Sequence, residues 1–462
     1  MADPRFDLAA LLERAAELSR AYLTALPTRH VGPRANAADI AARLSVPLPA
    51  GPEDPQSVIE RLARDLDLGL VATAGPRYFG FVTGGALPAS IAADWLTAAW
   101  GQNAALHAMS PAASAAEDVA SAWMKELLGI PAATSHGITT GAGLGNAVGI
   151  ATGRHVVLRA LGWDVETHGL YGAPEIAVIV GDEAHATLLT ALQYLGLGRE
   201  RVTRVPTDDQ GRIRAEPLAE AVRAAQSKPV IVCAQAGNVN TGGFDPLAAI
   251  ADAVDAHPNA WLHIDGAFGL WASAVPRLRH LVAGVERADS WSTDSHKWLN
   301  AGYDSGFVAT RDPAAHRAAM APSAPYLMMS GANREPSEWV LDSSRRARGF
   351  ALYAVLRSLG RDGVRDLVER CCALARRIAE QLTAETGARV LNDVVLNQVL
   401  ARFGDDDTRT RTVIERVQNE GVAWMGGTVW HGKAAMRISV SNWSTTEDDV
   451  DQTVQAILRA AR

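Results

Sequence analysis

The lysine in Asp294-Ser-His-Lys297-Trp-Leu-Asn300 stands in a stretch of low charge, between a histidine and a tryptophan. Lysine seldom sits in such company without cause, because burial strips the ammonium of its hydration. Two readings are open. In one, Lys297 is a loop residue held in an ion pair. In the other it is a nucleophilic amine, kept partly unprotonated by desolvation and nearby cations, that condenses with an aldehyde as a Schiff base. Asp265 bears on the choice: it closes the apolar run Trp261-Leu-His-Ile264 and is followed by small residues. An acid there is either a cap on the next turn or the partner of a buried cation. A protonated pyridine nitrogen is such a cation, and an aspartate beside it keeps the ring an electron sink.

Two further segments could complete such a site. Gly137-Ile-Thr-Thr140-Gly141-Ala142-Gly143-Leu-Gly145-Asn146 runs into a helical pattern. Glycines and hydroxyls entering a helix present free N–H groups and a favourable dipole to a phosphate. The same pattern also makes an ordinary turn, and the dinucleotide spacing G-x-G-x-x-G is missing. His185, in Gly181-Asp-Glu-Ala-His185, either stacks on a flat heteroaromatic ring or caps a helix. No HExxH, CxxC or carboxylate-rich loop accompanies it, so no metal site is expected.

These residues need a scaffold that brings them to one edge. Ile176-Ala-Val-Ile-Val180, Pro229-Val-Ile-Val-Cys233, Trp261-Leu-His-Ile264 and Gly306-Phe-Val-Ala309 read as buried strands separated by helical stretches. That alternation predicts a mostly parallel, doubly wound α/β sheet, with ligands beyond the carboxyl ends of its strands. His185, Asn238, Asn240 and Asp265 all follow such strands. Residues 5–30 and 56–66 read as helices of an N-terminal extension spanning 1–75, ahead of a large α/β domain over 76–330. Leu367, Cys371, Leu374, Ile378 and Leu382 mark one buried helix face. With strands at Asn397–Arg402 and Met436–Val440 and a terminal helix opening near Thr445, they predict a smaller α+β domain over 331–462.

Composition narrows the function. The 462 residues are 48% hydrophobic and 21% charged, with a formal net charge of −7. That is an ordinary globular balance with no positive field to gather nucleic acid. Cys233, Cys371 and Cys372 are too few for a disulfide framework and suit a reducing compartment. The N-terminus lacks the cationic start and apolar core of a secretory signal, and no stretch approaches a membrane span. A cytoplasmic protein, bound to neither membrane nor nucleic acid, is expected.

Taken in order, the motifs resemble the group II pyridoxal-phosphate-dependent decarboxylases, which include aromatic-amino-acid and glutamate decarboxylases. The resemblance runs from Pro76-Arg-Tyr-Phe-Gly-Phe81 through His185, Ala236–Pro246, Asp265, His296-Lys-Trp298, Ser343–Arg346 and Arg437–Asn442 to the last helix. It implies the aspartate-aminotransferase fold (fold type I), a seven-stranded type of sheet and pyridoxal 5′-phosphate as cofactor. Lys297 would hold that cofactor as a Schiff base, Asp265 would pair with the pyridine nitrogen, and His185 would stack on the ring. Thr140, Ala142 and Gly143 would hold the phosphate region, with Asp294, Ser295 and His296 nearby, although a carboxylate at 294 repels a phosphate. Asn238 would lie among the cofactor contacts. Arg437 would anchor the substrate carboxylate, beside Tyr78 and Phe81. The implied reaction converts an L-amino acid to its amine and CO₂. The aromatic residues at 78–81, Trp298 and Trp424 lean toward an aromatic or medium apolar substrate. The resemblance further implies a two-fold homodimer, with Gln102–His107 and the N-terminal extension as candidate contacts.

Two positions depart from the family pattern. Residues 327–342 contain no tyrosine, although the family's mobile loop there usually carries the one that protonates Cα, and Tyr326 matches a structural element instead. Val239 stands where relatives place a hydroxyl residue, a contact that Asn238 and Asn240 could replace. The alternatives kept open are an aldehyde synthase, an aminotransferase and a non-catalytic cofactor-binding paralogue.

Overall fold

The structure, a computed structural model, describes residues 7–322, 333–384 and 388–462. The chain begins with α1 (Leu8–Ala25), α2 (Ala37–Leu44) and α3 (Pro55–Leu66). The first is shorter than the 5–30 expected. Pro27 has no N–H to donate to a fourth-preceding carbonyl, so the helix ends at Ala25, with Leu26 as its cap. After α4 (Pro88–Trp100) and α5 (Pro111–Leu128), strands and helices alternate. They run β1 (Ser135–Thr139), α6 (Ala142–Arg159), the short α7 (Val165–His168), β2 (Ala177–Gly181), α8 (Ala186–Tyr194), β3 (Val202–Val205) and α9 (Ala215–Ala224). Next come β4 (Val230–Gln235), α10 (Leu247–Asp255), β5 (Ala260–Asp265), β6 (Ser290–Asp294), β7 (Gly306–Thr310) and α11 (Pro313–Met320).

The seven strands form one sheet in the order β1-β7-β6-β5-β4-β2-β3. Neighbours from β6 through β3 are parallel, and β7 runs antiparallel to both β6 and β1. Val230, Ile231 and Val232 of β4 are wholly buried, as expected of a strand covered on both faces. β6 carries no such signal: Ser-Trp-Ser-Thr-Asp is polar, yet every residue of it is buried. Cys233 packs with Ala147, Ile150, Val178 and Leu192 beneath α6 and α8. Cys371 and Cys372 belong to the main core, and all three thiols are free.

The C-terminal part comprises α12 (Gly349–Ala384), β8 (Ala388–Val390), β9 (Gln398–Phe403), α13 (Asp407–Glu420), β10 (Gly426–Trp430), β11 (Lys433–Ser439) and α14 (Glu447–Ala461). Its four strands make an antiparallel sheet, β10-β11-β9-β8. α12 breaks at Gly360, whose φ of +61° a side chain would resist. The first half lies against α4 and α5, the second against α14 and the small sheet. Residues 77–79 are stitched to the C-terminal part: Phe79 N–H donates to Trp424 O (2.7 Å), Trp424 N–H to Arg77 O (3.0 Å) and Ser439 N–H to Phe79 O (2.9 Å). Arg77 adds a buried ion pair to Asp449 at 3.0 Å. The segment 77–79 is thereby fixed to the C-terminal part. No described helix is long and apolar enough to cross a membrane.

Candidate active site

β6 ends on Asp294, and the turn that follows it carries the lysine. Lys297 Nζ lies 2.8 Å from Asp294 Oδ2. The other carboxylate oxygen accepts the Ala142 N–H at 2.5 Å, at the first residue of α6. Asp294 therefore joins the positive end of a helix to the lysine, an arrangement that stabilises an anion on both sides. This corrects the expectation for Ala142: its N–H is spent on a carboxylate and is not offered to a phosphate. Thr140 stands in the β1–α6 turn, and Gly143 is the second residue of α6.

The backbone of the lysine turn is held from two directions. The N–H groups of Ser295 and His296 donate to Ser305 O, both at 3.0 Å, and Ser305 N–H donates back to His296 Nδ1 at 3.2 Å. That leaves Nε2 of His296 to carry the proton, 3.5 Å from Asp294 Oδ1, and burial depresses the imidazole pKa. Asn300, at φ +56°, accepts the N–H groups of Gly85 (2.6 Å) and Trp443 (3.1 Å). It donates to the carbonyls of Trp298 (2.7 Å) and Ser441 (3.0 Å). One side chain thus ties two distant segments to the lysine turn. Gly84 lies so close that an added Cβ would fall 1.7 Å from the Lys297 carbonyl oxygen. Gly84→Ala is accordingly expected to destabilise the fold by about 3 kcal/mol and to displace the lysine turn. Thermal denaturation with and without cofactor checks it, and an unaltered melting curve would contradict the close approach.

Asp265 Oδ1 accepts the Ala267 N–H (3.2 Å) and Oδ2 the Asn146 Nδ2–H (3.0 Å), so the acid caps its own turn and is gripped from α6 as well. His185 is the N-cap of α8, as one of its two readings required. Its Nδ1 accepts the Thr187 N–H at 3.2 Å, which leaves Nε2 as the proton-bearing nitrogen of the neutral ring. Burial lowers the His185 pKa; Lys297 and Arg437 press it the same way, while Asp265 and Asp294 oppose. Four charges acting on one imidazole place these residues in one site. Arg437 projects from β11, half-buried, and has no counter-charge among the described residues. Burial lowers its pKa, the response of a cation lacking an anion.

The mouth is aromatic. Tyr78 stacks on Trp424 (centroids 5.0 Å apart, planes at 16°), and Phe81 leans on the same indole at 5.5 Å. Burial pushes the Tyr78 phenol up to about 12, so it keeps its proton. Sequence reasoning missed Tyr303, whose ring packs against His296 at 4.4 Å and whose hydroxyl is 3.4 Å from Thr83 Oγ1. Nothing in its spacing marks it, since both contacts arise only when the turn closes. Trp298, by contrast, is 1% exposed and packed in the core, so it is not a pocket residue.

Asn238 Oδ1 accepts the N–H groups of Asn240 (2.8 Å) and Thr241 (3.2 Å), closing its own turn, while its buried Nδ2 borders Gly211 and has no hydrogen-bond partner among the described residues. Asn240 accepts the hydroxyl of Thr428 at 3.0 Å. Residues 323–332, and with them Tyr326 and the first part of the loop lacking tyrosine, lie outside the described residues. Two hydroxyls near the lysine do have unspent capacity. Ser295 Oγ and Ser305 Oγ are buried with no hydrogen-bond partner among the described residues. Buried polar atoms without partners cost about 1–3 kcal/mol each, so these are fitted to an anionic group that supplies acceptors.

A family model described as the pyridoxal-dependent decarboxylase conserved domain matches residues 39–403. Tryptophan decarboxylase 1 of Oryza sativa subsp. japonica is 28% identical over 433 residues, which cover 87% of this chain and 82% of that protein. Phenylacetaldehyde synthase of Arabidopsis thaliana is 25% identical over 431 residues, 89% of this chain and 87% of that one. The crystal structure of Oryza sativa TDC with PLP and tryptamine has the same fold, at a TM-score of 0.92 and 24% identity, covering 100% of this chain and 99% of that chain.

Proposed function

Because the chain belongs to the pyridoxal-dependent decarboxylase family, we propose that it removes the α-carboxylate of an L-amino acid and releases the corresponding amine, with Lys297 as the covalent anchor of the cofactor. The enzyme class is a carboxy-lyase, its architecture is fold type I and its cofactor is pyridoxal 5′-phosphate. The observation that carries the reading is Arg437, a guanidinium with no counter-charge among the described residues that acts on the same imidazole as Lys297 and Asp265.

When bound, the cofactor supplies an electron-withdrawing ring that takes up the pair left on Cα. Lys297 would hold it covalently, Asp265 would face its pyridine nitrogen, and His185 would lie against the ring. Ser295, Ser305, His296, Thr140 and the Gly143 N–H would receive the phosphate. Arg437 binds the substrate carboxylate in two parallel hydrogen bonds and so directs which Cα bond stands ready to break. Asp294 holds the lysine proton across its 2.8 Å contact. Phe81, Trp424 and Tyr78 cover the substrate side chain and exclude water, which favours an aromatic one. For the proton returned to Cα, the described residues offer the Tyr303 phenol at the mouth and the Nε2–H of His185.

The test has two parts: a mass-spectrometric product screen of the twenty amino acids, followed by Arg437→Gln on the best substrate. Losing a bidentate charged pair should raise KM by roughly 10–100-fold. The matching amine, which has no carboxylate, should inhibit wild type and variant alike. An unchanged KM would remove Arg437 from this role.

A second reading has specific support. Residues 327–342 contain no tyrosine, and a relative covering most of the chain is a phenylacetaldehyde synthase. With molecular oxygen as oxidant and one water consumed, the amino acid would then leave as aldehyde, CO₂, ammonia and hydrogen peroxide. Stoichiometric peroxide in the screen selects that outcome, and stoichiometric amine selects the first. A homodimer is part of the proposal: Leu8, Leu12, Trp95, Leu96 and Trp100 are large apolar side chains exposed on α1 and α4, more than an isolated chain would leave in water.

A further inference from the structure

The strongest unassigned feature lies behind Asp265, inside the sheet. β5 and β6 run parallel and pair His263 with Ser290 and Asp265 with Ser292. Successive side chains alternate between sheet faces, so Trp261, His263, Asp265, Ser290 and Ser292 share the face under α6. A polar stripe at the centre of a doubly covered sheet is costly unless every group finds a partner. Gly145, Gly149 and Gly153, spaced by four, give α6 a bare side there. A Cβ at these positions would come within 3.0 Å of Ser292 Cβ, 2.7 Å of His263 Nδ1 and 2.5 Å of Trp261 Cδ1. The helix backbone therefore rests directly on the stripe, and Asn146 reaches into it.

The hydrogen bonds form a chain with one direction. Asn146 Nδ2 is 3.0 Å from Asp265 Oδ2; a carboxylate only accepts, so the amide nitrogen must face it. Asn146 Oδ1 then faces His263 Nε2 at 2.9 Å and also accepts the hydroxyl of Ser292. Hence Nε2 of His263 carries the proton and Nδ1 accepts. Nδ1 takes the hydroxyl of Ser290 at 2.8 Å, and Ser290 Oγ accepts the Trp261 Nε1–H at 2.9 Å. Every donor from the indole onward points toward Asp265. Asn146, His263, Ser290 and Ser292 are all 0% exposed. Burial drops the His263 pKa to about 3, so the chain stays neutral and brings no cation to compete for the carboxylate.

We propose that Asn146, His263 and Ser290 are positioning residues for the reaction: a relay that fixes Asp265 Oδ2 and stabilises it as the anion facing the cofactor's pyridine nitrogen. The inference rests on the reading that Asp265 is that nitrogen's partner. Asp265 meets the ring from the strand end, where its own Ala267 bond holds only the other oxygen. Without Asn146, Oδ2 loses its described donor, the carboxylate turns toward solvent, and the ring nitrogen loses the charge that keeps it protonated.

The test loads the protein with pyridoxal 5′-phosphate labelled with ¹⁵N in the ring and records the pyridine nitrogen resonance, which reports its protonation. Asn146→Ala and His263→Leu are expected to move the resonance toward the unprotonated position. They should lower kcat by roughly 10–100-fold, as when the outer partners of a ligand are lost, with little change in KM. His263→Gln still donates to Asn146 and should recover most of both signals. Ser290→Ala is nearly isosteric, leaves the packing under α6 intact, and should move the resonance the same way by less. Wild-type resonances in these variants overturn the relay. A wild-type resonance that is itself unprotonated overturns the role of Asp265 instead, which separates the two failures. Melting of the cofactor-free proteins shows whether a lost signal is merely lost structure.

Discussion

Lys297→Ala abolishes turnover, by at least about 10⁴-fold or about 5 kcal/mol of barrier, and leaves the purified protein without the visible absorption of covalently held cofactor. The structure makes the expectation specific. The Nζ is delivered by a turn pinned through Ser305, Asn300 and the close approach of Gly84, and it sits 2.8 Å from a carboxylate that is itself 4% exposed. Removing the ammonium leaves Asp294 with the Ala142 N–H but no counter-charge, so some loss of stability accompanies the loss of activity. Lys297→Arg separates the two effects. The guanidinium restores the ion pair but is not a nucleophile at any working pH. It should fold like wild type and stay colourless with pyridoxal 5′-phosphate. A visible band in either variant, or a labelled peptide that omits position 297, would place the covalent anchor elsewhere.

Asp265→Ala binds the cofactor and loses nearly all activity, by about 10³-fold, equivalent to about 4 kcal/mol. The size follows from where the charge is. Asp265 is 4% exposed, in a low-dielectric setting where one fixed anion beside a heterocyclic nitrogen is worth far more than in water. Covalent capture by Lys297 and the phosphate contacts do not involve it, so the visible band should persist. The truncation also strips the acceptor from Asn146 Nδ2 and the Ala267 N–H, costing about 1–3 kcal/mol of folding stability. Cofactor titration, single-turnover rates and denaturant melts measure the three effects separately. Wild-type rates in a variant that still holds cofactor would contradict the electrostatic role.

The residue types alone carried much of this protein. Buried strands such as β4 announce themselves as unbroken apolar runs, and a sheet of such strands dictates that polar residues at their carboxyl ends meet a ligand. Asp265 and His185 were legible for that reason, and Lys297 by its low-charge neighbours. The family followed from the order of the motifs. What stayed hidden is of one kind. β6 is polar in sequence because its serines face Asn146 and His263 and not an apolar layer, a fact fixed by α6 more than a hundred residues earlier in the chain. Asn300 reads as an ordinary turn residue until residues 85, 441 and 443 supply three of its four hydrogen bonds.

Ala142 offered a free N–H on paper, and only the closed turn brings Asp294 to take it. Trp298 read as a pocket residue and is core, while Tyr303 was passed over and stands at the mouth. The sequence by itself determined the family and the apolar strands such as β4, because these depend on motif order and local periodicity. Which donor meets which acceptor was decided by the tertiary structure, because a hydrogen bond is set by distance and direction between segments that share no sequence neighbourhood.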